Sequence, residues 1–216
     1  MRLSWRLPGA TLGAVLRHAN QFHPNPEPMA KLYFRYAAMN AGKSTALLQV
    51  AHNYEERGHT VSLFTAAIDT RNGGGRIASR LGVTRDAEMF DTETEFSTLL
   101  RAKPLPSCVL IDEAQFLTEH QVMDLHRFAH TDKVPVICFG IRSDFQGQAF
   151  PGSRALLTLA DDLEEMKTVC GCGRKASFNM RVDEQGRRVT RGAQVEVGGN
   201  ERYEAVCPLR FYTGSC

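Results

Sequence analysis

The chain has 216 residues, 43% apolar and 23% charged, with a formal net charge of +2. That length holds one α/β domain with a full core and a small appendage, and crowds out two full-sized domains. The charge balance supplies no basic stripe of the kind that duplex nucleic acid needs, and no run of about 18 uncharged apolar residues is present to span a bilayer, so neither nucleic acid nor a membrane is expected as a partner.

Residues 1–28 carry three arginines and one glutamate and end in a proline-rich stretch unsuited to a packed core. Such arginine-rich, acid-poor composition is shared by organelle transit peptides. A flexible extension, or a start codon assigned upstream of Met29, accounts for it as well and is the preferred reading. The apolar stretch Ala10 to Leu16 is too short for a secretion signal.

From Lys31 the pattern becomes regular. "KLYFRYA" is aromatic-rich and reads as a first strand, and "TALLQVAHNYEERG" carries Leu47, Leu48, Ala51 and Tyr54 at helical spacing, so a helix is expected from about Ser44, closed by Gly58. Thr60–Ala66, Cys108–Glu113 and Val134–Ile141 read as three further strands whose near-continuous apolar character suits a parallel sheet covered on both faces. Helical patterns fall within Thr94–Ala102, Glu119–His130 and Ser153–Ala160. The alternation predicts a doubly wound α/β domain over residues 29–165. Beyond Met166, glycines, cysteines and short strand patterns predict a separate small subdomain over 166–216.

Between the first strand and its helix lies "YAAMNAGKST", Tyr36 to Thr45. Gly42, Lys43 and Ser44 fit the phosphate-loop pattern G-x-x-x-x-G-K-[ST], while Ala37 holds the place of its first glycine. In a strand–loop–helix setting, backbone N–H groups of Ala37, Ala38, Met39, Asn40, Ala41, Gly42, Lys43, Ser44 and Thr45 surround the phosphates. Lys43 adds a positive charge there, and Ser44 can hold magnesium. Ala37 is tolerable because the first position governs only the entry turn. A second element, "VLIDEAQF", ends an apolar strand in Asp112 and Glu113, with Ala114 and Gln115 following. Asp112 at that strand end would orient hydrated magnesium beside the loop. Glu113 would polarise a water in an ATPase or take a proton from an acceptor hydroxyl in a kinase, and residue chemistry leaves both open.

Of the six cysteines, Cys108 and Cys138 sit in apolar runs as small buried hydrophobes. Cys170, Cys172 and Cys207 sit in a pattern better read as zinc ligation than as a disulfide framework, which points to a reducing cytoplasm.

Taken in order, "LYFRYAAMNAGKSTALLQ", "IDTR", "LIDEAQFL", "GIRSDFQGQAF", "CGCGRKASF" and "VEVGGNERYEAVC" resemble the type II thymidine kinases, especially those of enteric bacteria, over about Met29 to Cys207. The resemblance implies a P-loop, RecA-like parallel sheet with helices on both faces and a zinc-ribbon-like subdomain carrying a lasso loop. It implies a cytosolic salvage enzyme, usually a homotetramer. That enzyme transfers the γ-phosphate of ATP, with Mg2+, to the 5′-hydroxyl of thymidine or deoxyuridine. In it Glu113 is the general base. Asp69 and Arg71 match the "DTR" segment, whose arginine lies near the phosphates, and the adjoining "NGGGR" is expected to move until nucleotide binds. The lasso segment 195–203 would read the base through Val197, Gly198 and Tyr203, with Phe116, Phe145 and Phe150 lining the pocket and Met39 meeting the 5-methyl group. The family ends its zinc site with a histidine three residues after the third cysteine. Here that place is Arg210, which cannot coordinate. Cys216 folding back, a water, or a weakly held metal remain as readings of the fourth position.

Two rivals come from other classes. "DEAQ" also ends strands in nucleic-acid motors, but a motor needs a second RecA-like domain for which the chain has no room. A zinc-ribbon binding module on a degenerate phosphate loop would need a basic or aromatic face.

Overall fold

In the computed structural model, which describes residues 29–71, 73–195 and 202–216, the chain opens with β1 (Leu32–Tyr36), α1 (Lys43–Glu55) and β2 (Val61–Ala66). A hairpin of β3 (Arg76–Ala78) and β4 (Thr84–Asp86) leads into β5 (Glu88–Phe90) and α2 (Phe96–Arg101). Next come β6 (Cys108–Ile111), a 3-10 turn (Ala114–Phe116), α3 (Glu119–Thr131), β7 (Val136–Gly140), α4 (Pro151–Leu159) and β8 (Asp162–Glu165). The chain finishes with β9 (Thr168–Val169), β10 (Lys175–Ala176), β11 (Phe178–Val182), β12 (Arg188–Val189), β13 (Tyr203–Val206) and α5 (Pro208–Thr213). Residues 1–28, Val197 and Gly198 lie outside the described residues.

The main sheet has six strands in the order β5-β2-β6-β7-β1-β8, and every neighbouring pair is parallel. Four of these strands follow from the apolar runs, but β5 and β8 do not. They are the edges, and "EMF" and "DLEE" lack the continuous apolar run that only a strand covered on both faces needs. The hairpin of β3 and β4 was likewise not expected, being short, polar and outside the main sheet.

Alternation along β6 shows how the core is divided. Cys108 and Leu110 pack with Leu47, Leu48 and Ala51 of α1, while Val109 and Ile111 pack with Val122, Leu125 and Phe128 of α3 and Leu156 of α4. Helices therefore cover both faces. Each fully buried side chain of this size removes enough apolar surface from water to stabilise the fold by about 1.5–3 kcal/mol. The start of α3 is held by a capping box in which the Gln121 N–H donates to Thr118 Oγ1 and the Thr118 N–H to Gln121 Oε1. By contrast, α1 begins on Gly42 with no side-chain cap and no acid in its first turn. Its N-terminal dipole is thus left for groups outside the helix to meet.

The connection leaving β1 crosses to β2 on one side, and the chain returns to place β8 on the other. The direction of winding reverses at β1, the position where open α/β sheets form a crevice at their carboxyl edge. Beyond β8 the chain makes a β9-β10 hairpin and a three-stranded antiparallel sheet, β12-β11-β13. This region has its own small core of Cys170, Ala176, Met180, Val182, Val206, Cys207 and Phe211.

Candidate functional site

The loop between β1 and α1 is shaped by its backbone. The Ala37 N–H still donates to the Gly140 carbonyl at 3.2 Å, so the chain is extending β1 at this point and has no left-handed turn that would require glycine. Asn40 and Gly42 do take positive φ, 64° and 81°, and Gly42 is the residue type for which that conformation carries little strain. Lys43 folds back under the loop, only 8% exposed, and donates from Nζ to the Ala38 carbonyl at 3.1 Å. Burial lowers its pKa, against the opposing pull of the Glu113 and Asp112 carboxylates.

Two strands away, β6 delivers Asp112 and Glu113 to the same edge. Ser44 Oγ donates to Asp112 Oδ2 at 2.8 Å, joining the glycine–lysine loop directly to the end of β6. Asp112 is 5% exposed, and burial reinforced by the neighbouring Glu113 charge pushes its carboxyl up to about 7. Glu113 itself sits at φ 53°, in the left-handed region that a non-glycine residue rarely holds without surrounding constraint. The constraint is visible on both carboxylate oxygens. Arg71 Nη2 lies 2.5 Å from Oε1, and Gln115 Nε2 lies 2.5 Å from Oε2.

Arg71 is also clamped by Asp69, Nε to Oδ1 at 2.6 Å and Nη2 to Oδ2 at 2.7 Å, and this pairing raises its pKa further. Gln115 in turn accepts the Ile141 N–H at 3.2 Å. The 3-10 turn that carries Gln115 leaves no room for a side chain at Gly152, where a Cβ would lie 2.5–2.9 Å from the carbonyl oxygens of Leu117, Ala114 and Gln115.

These groups line a cleft of about 910 Å3, the scale on which small-molecule sites are built. Its wall carries a polar, loop-borne set, Met39, Asn40, Ala41, Gly42, Lys43, Ser44, Thr45, Asp69, Arg71, Asp112, Glu113 and Gln115, and an aromatic set, Phe116, Phe145, Phe150 and Tyr203. Ala37, Ala38 and Ala114 are not on its wall, being packed beneath it at 5% exposure or less. Phe116 and Phe150 meet edge to face, with centroids 5.9 Å apart and planes at 77°.

Four further contributors are not among the candidate residues named above. Asn179 on β11 accepts the Met39 N–H at 2.7 Å through Oδ1, tying the antiparallel sheet to the phosphate loop. Arg181, two residues on along the same strand, stacks its guanidinium 3.8 Å from the Phe145 ring centroid and donates to the Tyr203 hydroxyl from Nε at 3.0 Å and from Nη2 at 2.5 Å. Asp144 Oδ2 accepts from Gln194 Nε2 at 3.0 Å. The fourth is the hairpin of β3 and β4, which adds Arg76 to Leu81 to the cleft wall and places the Arg80 guanidinium on Asn40 Oδ1. Asn179 and Arg181 are isolated polar residues in a short strand, and only burial in the fold singles them out, whereas Asp144 lies within the "GIRSDFQGQAF" segment.

Below the antiparallel sheet, Cys170, Cys172, Cys207 and Cys216 bring their sulfurs within 4.8 Å of one another. The Cys170–Cys216 and Cys172–Cys207 separations are both 3.8 Å. A tetrahedron of Zn–S bonds of about 2.3 Å sets neighbouring sulfurs about 3.8 Å apart, so the four thiols have the spacing the metal needs. Backbone N–H groups, that of Cys172 foremost, hold the Cys170 thiol down at about 6, which favours the thiolate that ligation requires. Arg210 is not a ligand. Its Nη2 pairs with Glu204 Oε2 at 2.7 Å, and α5 carries the chain past it so that Cys216 returns to the cluster.

No helix among the described residues is long and apolar enough to cross a membrane. The family model for thymidine kinase matches residues 30–211. A thymidine kinase of Idiomarina loihiensis is 58% identical over 182 residues, covering 83% of this chain and 94% of its own length. Those of Chromobacterium violaceum and Albidiferax ferrireducens are 56% and 57% identical over 184 and 187 residues, with 99% and 94% of their own lengths and 85% and 87% of this chain covered. The chain therefore belongs to the thymidine kinase family of ATP-dependent phosphotransferases.

Proposed function

We propose that this protein transfers the γ-phosphate of ATP to the 5′-hydroxyl of thymidine or deoxyuridine, with Glu113 as the general base. The observation that carries this reading is the position of Glu113. It is held in a left-handed backbone conformation between Arg71 and Gln115, on a cleft with the phosphate loop in one part and aromatic side chains in another. A carboxylate there reaches both an acceptor sugar and the group being transferred. Phosphoryl transfer asks for little covalent chemistry from the protein, so alignment and charge neutralisation supply most of the acceleration.

In the proposed cycle the N-terminus of α1 and Lys43 receive the triphosphate, and Ser44 and Asp112 hold the magnesium ion, which neutralises charge on the phosphates when bound. Arg71 leaves Glu113 for the incoming phosphate oxygens, which frees the carboxylate to accept the 5′-hydroxyl proton. Phe116, Phe145 and Phe150 enclose the pyrimidine beside Met39 and Tyr203, and Val197 and Gly198 complete the closure through main-chain groups. A covered base edge discriminates strongly, because a wrong base leaves buried polar groups unpaired. Purine nucleosides are therefore rejected.

The four cysteines are proposed to hold a structural zinc ion with Cys216 in the fourth position, supported by the two 3.8 Å sulfur separations. A homotetrameric assembly and a cytoplasmic setting complete the reading. Light scattering of the purified protein tests the assembly, with four chains per particle expected.

The test of function supplies ATP, magnesium and a panel of nucleosides to the wild type and to Glu113→Gln. Phosphorylation confined to thymidine-like pyrimidine deoxynucleosides is expected, with the variant binding substrates but turning over at least about a hundredfold more slowly. Equal turnover by the variant removes Glu113 from the base role. ATP hydrolysis that is stimulated by nucleic acid and needs no nucleoside favours a motor instead.

A further inference from the structure

A second group of potential ligands lies at the opposite edge of the main sheet from the nucleotide cleft. His126 and His130 are four residues apart near the end of α3, which puts both imidazoles on one face of the helix. Asp161, between α4 and β8, points at them. Its Oδ2 is 3.0 Å from His130 Nε2, and its Oδ1 is 3.7 Å from His126 Nε2. The two rings are themselves close, with centroids 4.6 Å apart. One potential donor atom from each of the three residues falls within 4.8 Å of the others.

We propose that His126, His130 and Asp161 form a second metal site, separate from both the cysteine cluster and the magnesium position, for a borderline divalent transition cation such as Zn2+. Two imidazole nitrogens and one carboxylate suit zinc, nickel or copper, whereas magnesium and calcium take oxygen ligands. Bonds of about 2.0–2.2 Å set tetrahedral ligand atoms about 3.3–3.6 Å apart. Small rotations of three partly exposed side chains reach that spacing from the separations present. Their exposure also leaves the fourth position to water. The carboxylate is already oriented, because the Leu32 N–H donates to Asp161 Oδ2 at 2.8 Å, the kind of outer hydrogen bond that holds a metal-ligating carboxylate in place.

The location defines what such an ion does. Asp161 sits where β8 begins and is bonded to the first residue of β1, while the phosphate loop follows the last residue of β1. The length of that strand, about 13 Å over four residue steps at roughly 3.3 Å each, separates the ion from the reacting groups. The ion therefore staples the end of α3 to the amino ends of β1 and β8 and takes no part in phosphoryl transfer.

Equilibrium dialysis of the full-length protein against micromolar Zn2+, followed by metal analysis, tests this by difference. The wild type should hold one zinc per chain more than His126→Gln/His130→Gln, whatever the cysteine cluster retains in either protein. Asp161→Asn keeps an acceptor for the Leu32 N–H and should also lose the extra ion. The variants should keep wild-type turnover in metal-free buffer with magnesium added, which shows that they fold.

A measurement on the wild type alone guards against misfolded variants. Imidazole resonances of His126 and His130 should shift on adding Zn2+ while those of His52, His59 and His120 stay in place. Equal zinc content in the wild type and the double variant, or unmoved resonances of His126 and His130, overturns the proposal and leaves the cluster as a hydrogen-bonded histidine–aspartate group only.

Discussion

The two parts of the cleft are built by different means. The phosphate part is made by backbone. A strand end, a positive-φ glycine, a helix N-terminus and an acid at the next strand end but one determine it, and the side chains involved lie on consecutive residues of two short segments. The aromatic part is made by contacts between distant side chains, with Arg181 of β11 reaching Phe145 and Tyr203, while Asn179 of the same strand accepts the Met39 backbone N–H of the loop. Backbone-made sites tolerate change in neighbouring residues but fail when a charge is removed. Sites made by distant contacts should lose substrate affinity first and catalytic rate second.

Substitution of Lys43 gives the largest expected effect. Lys43→Met should lower kcat by about a thousandfold, since a buried cation aimed at transferring charge cannot be replaced by water, while circular dichroism stays unchanged. Loss of thymidine affinity with kcat intact would contradict the division just drawn. Asp112→Asn is next, with turnover down at least about a hundredfold and stability moving the other way. Burial and Glu113 raise the folded-state carboxyl to about 7 from its ordinary 3.8, so the ionised form opposes folding above neutrality, and this opposition fades as pH falls through 7. The ligand-free variant should therefore be more stable than the wild type at pH 8 by about 1 kcal/mol or more, with the gap narrowing below pH 7 and closing only toward about pH 4. A lower melting temperature for the variant at pH 8 would count against it.

On the aromatic side, Arg181→Met should raise KM for thymidine by about tenfold or more, through lost cation–π contact and an unpaired Tyr203 hydroxyl, and leave KM for ATP nearly unchanged. Equal rises in both constants would merge the two parts of the cleft into one. Cys216→Ser should cost zinc retention under mild chelation and lower the melting temperature by several degrees, on the order of 2–4 °C per kcal/mol lost. Unchanged retention would restore three-cysteine ligation. The smallest effect belongs to Ala37→Gly. Because Ala37 still continues β1, glycine there should lower stability by about 0.5–1 kcal/mol and change turnover little.

The same division explains what could be read in advance. Ala37–Thr45 and Asp112–Glu113 are contiguous, and the proposed chemistry needs those residue types at that spacing, so the proposed phosphate part could be marked out before any coordinates. Ala37 departs from the motif, and the Gly140 contact gives the reason that the backbone there does not require glycine. The edge strands β5 and β8 were not legible because an edge can be polar. Arg181 and Asn179 gave no signal because a lone arginine or asparagine in a short strand is ordinarily solvated, and it becomes part of a site only when the fold buries it, here to 5% and 3% exposure. Cys216 was one of several readings of the fourth zinc position, and α5 favours it by turning the terminus back to the cluster.

Release of Glu113 is the step on which the catalytic reading depends. In the structure its Oε1 is held by Arg71 at 2.5 Å. The most direct measurement is a crystal structure with thymidine and a non-hydrolysable ATP analogue. Arg71 should lie on the phosphate oxygens, with a Glu113 carboxylate oxygen within about 3 Å of the sugar O5′. Arg71 still paired with Glu113, and O5′ facing another group, would contradict it.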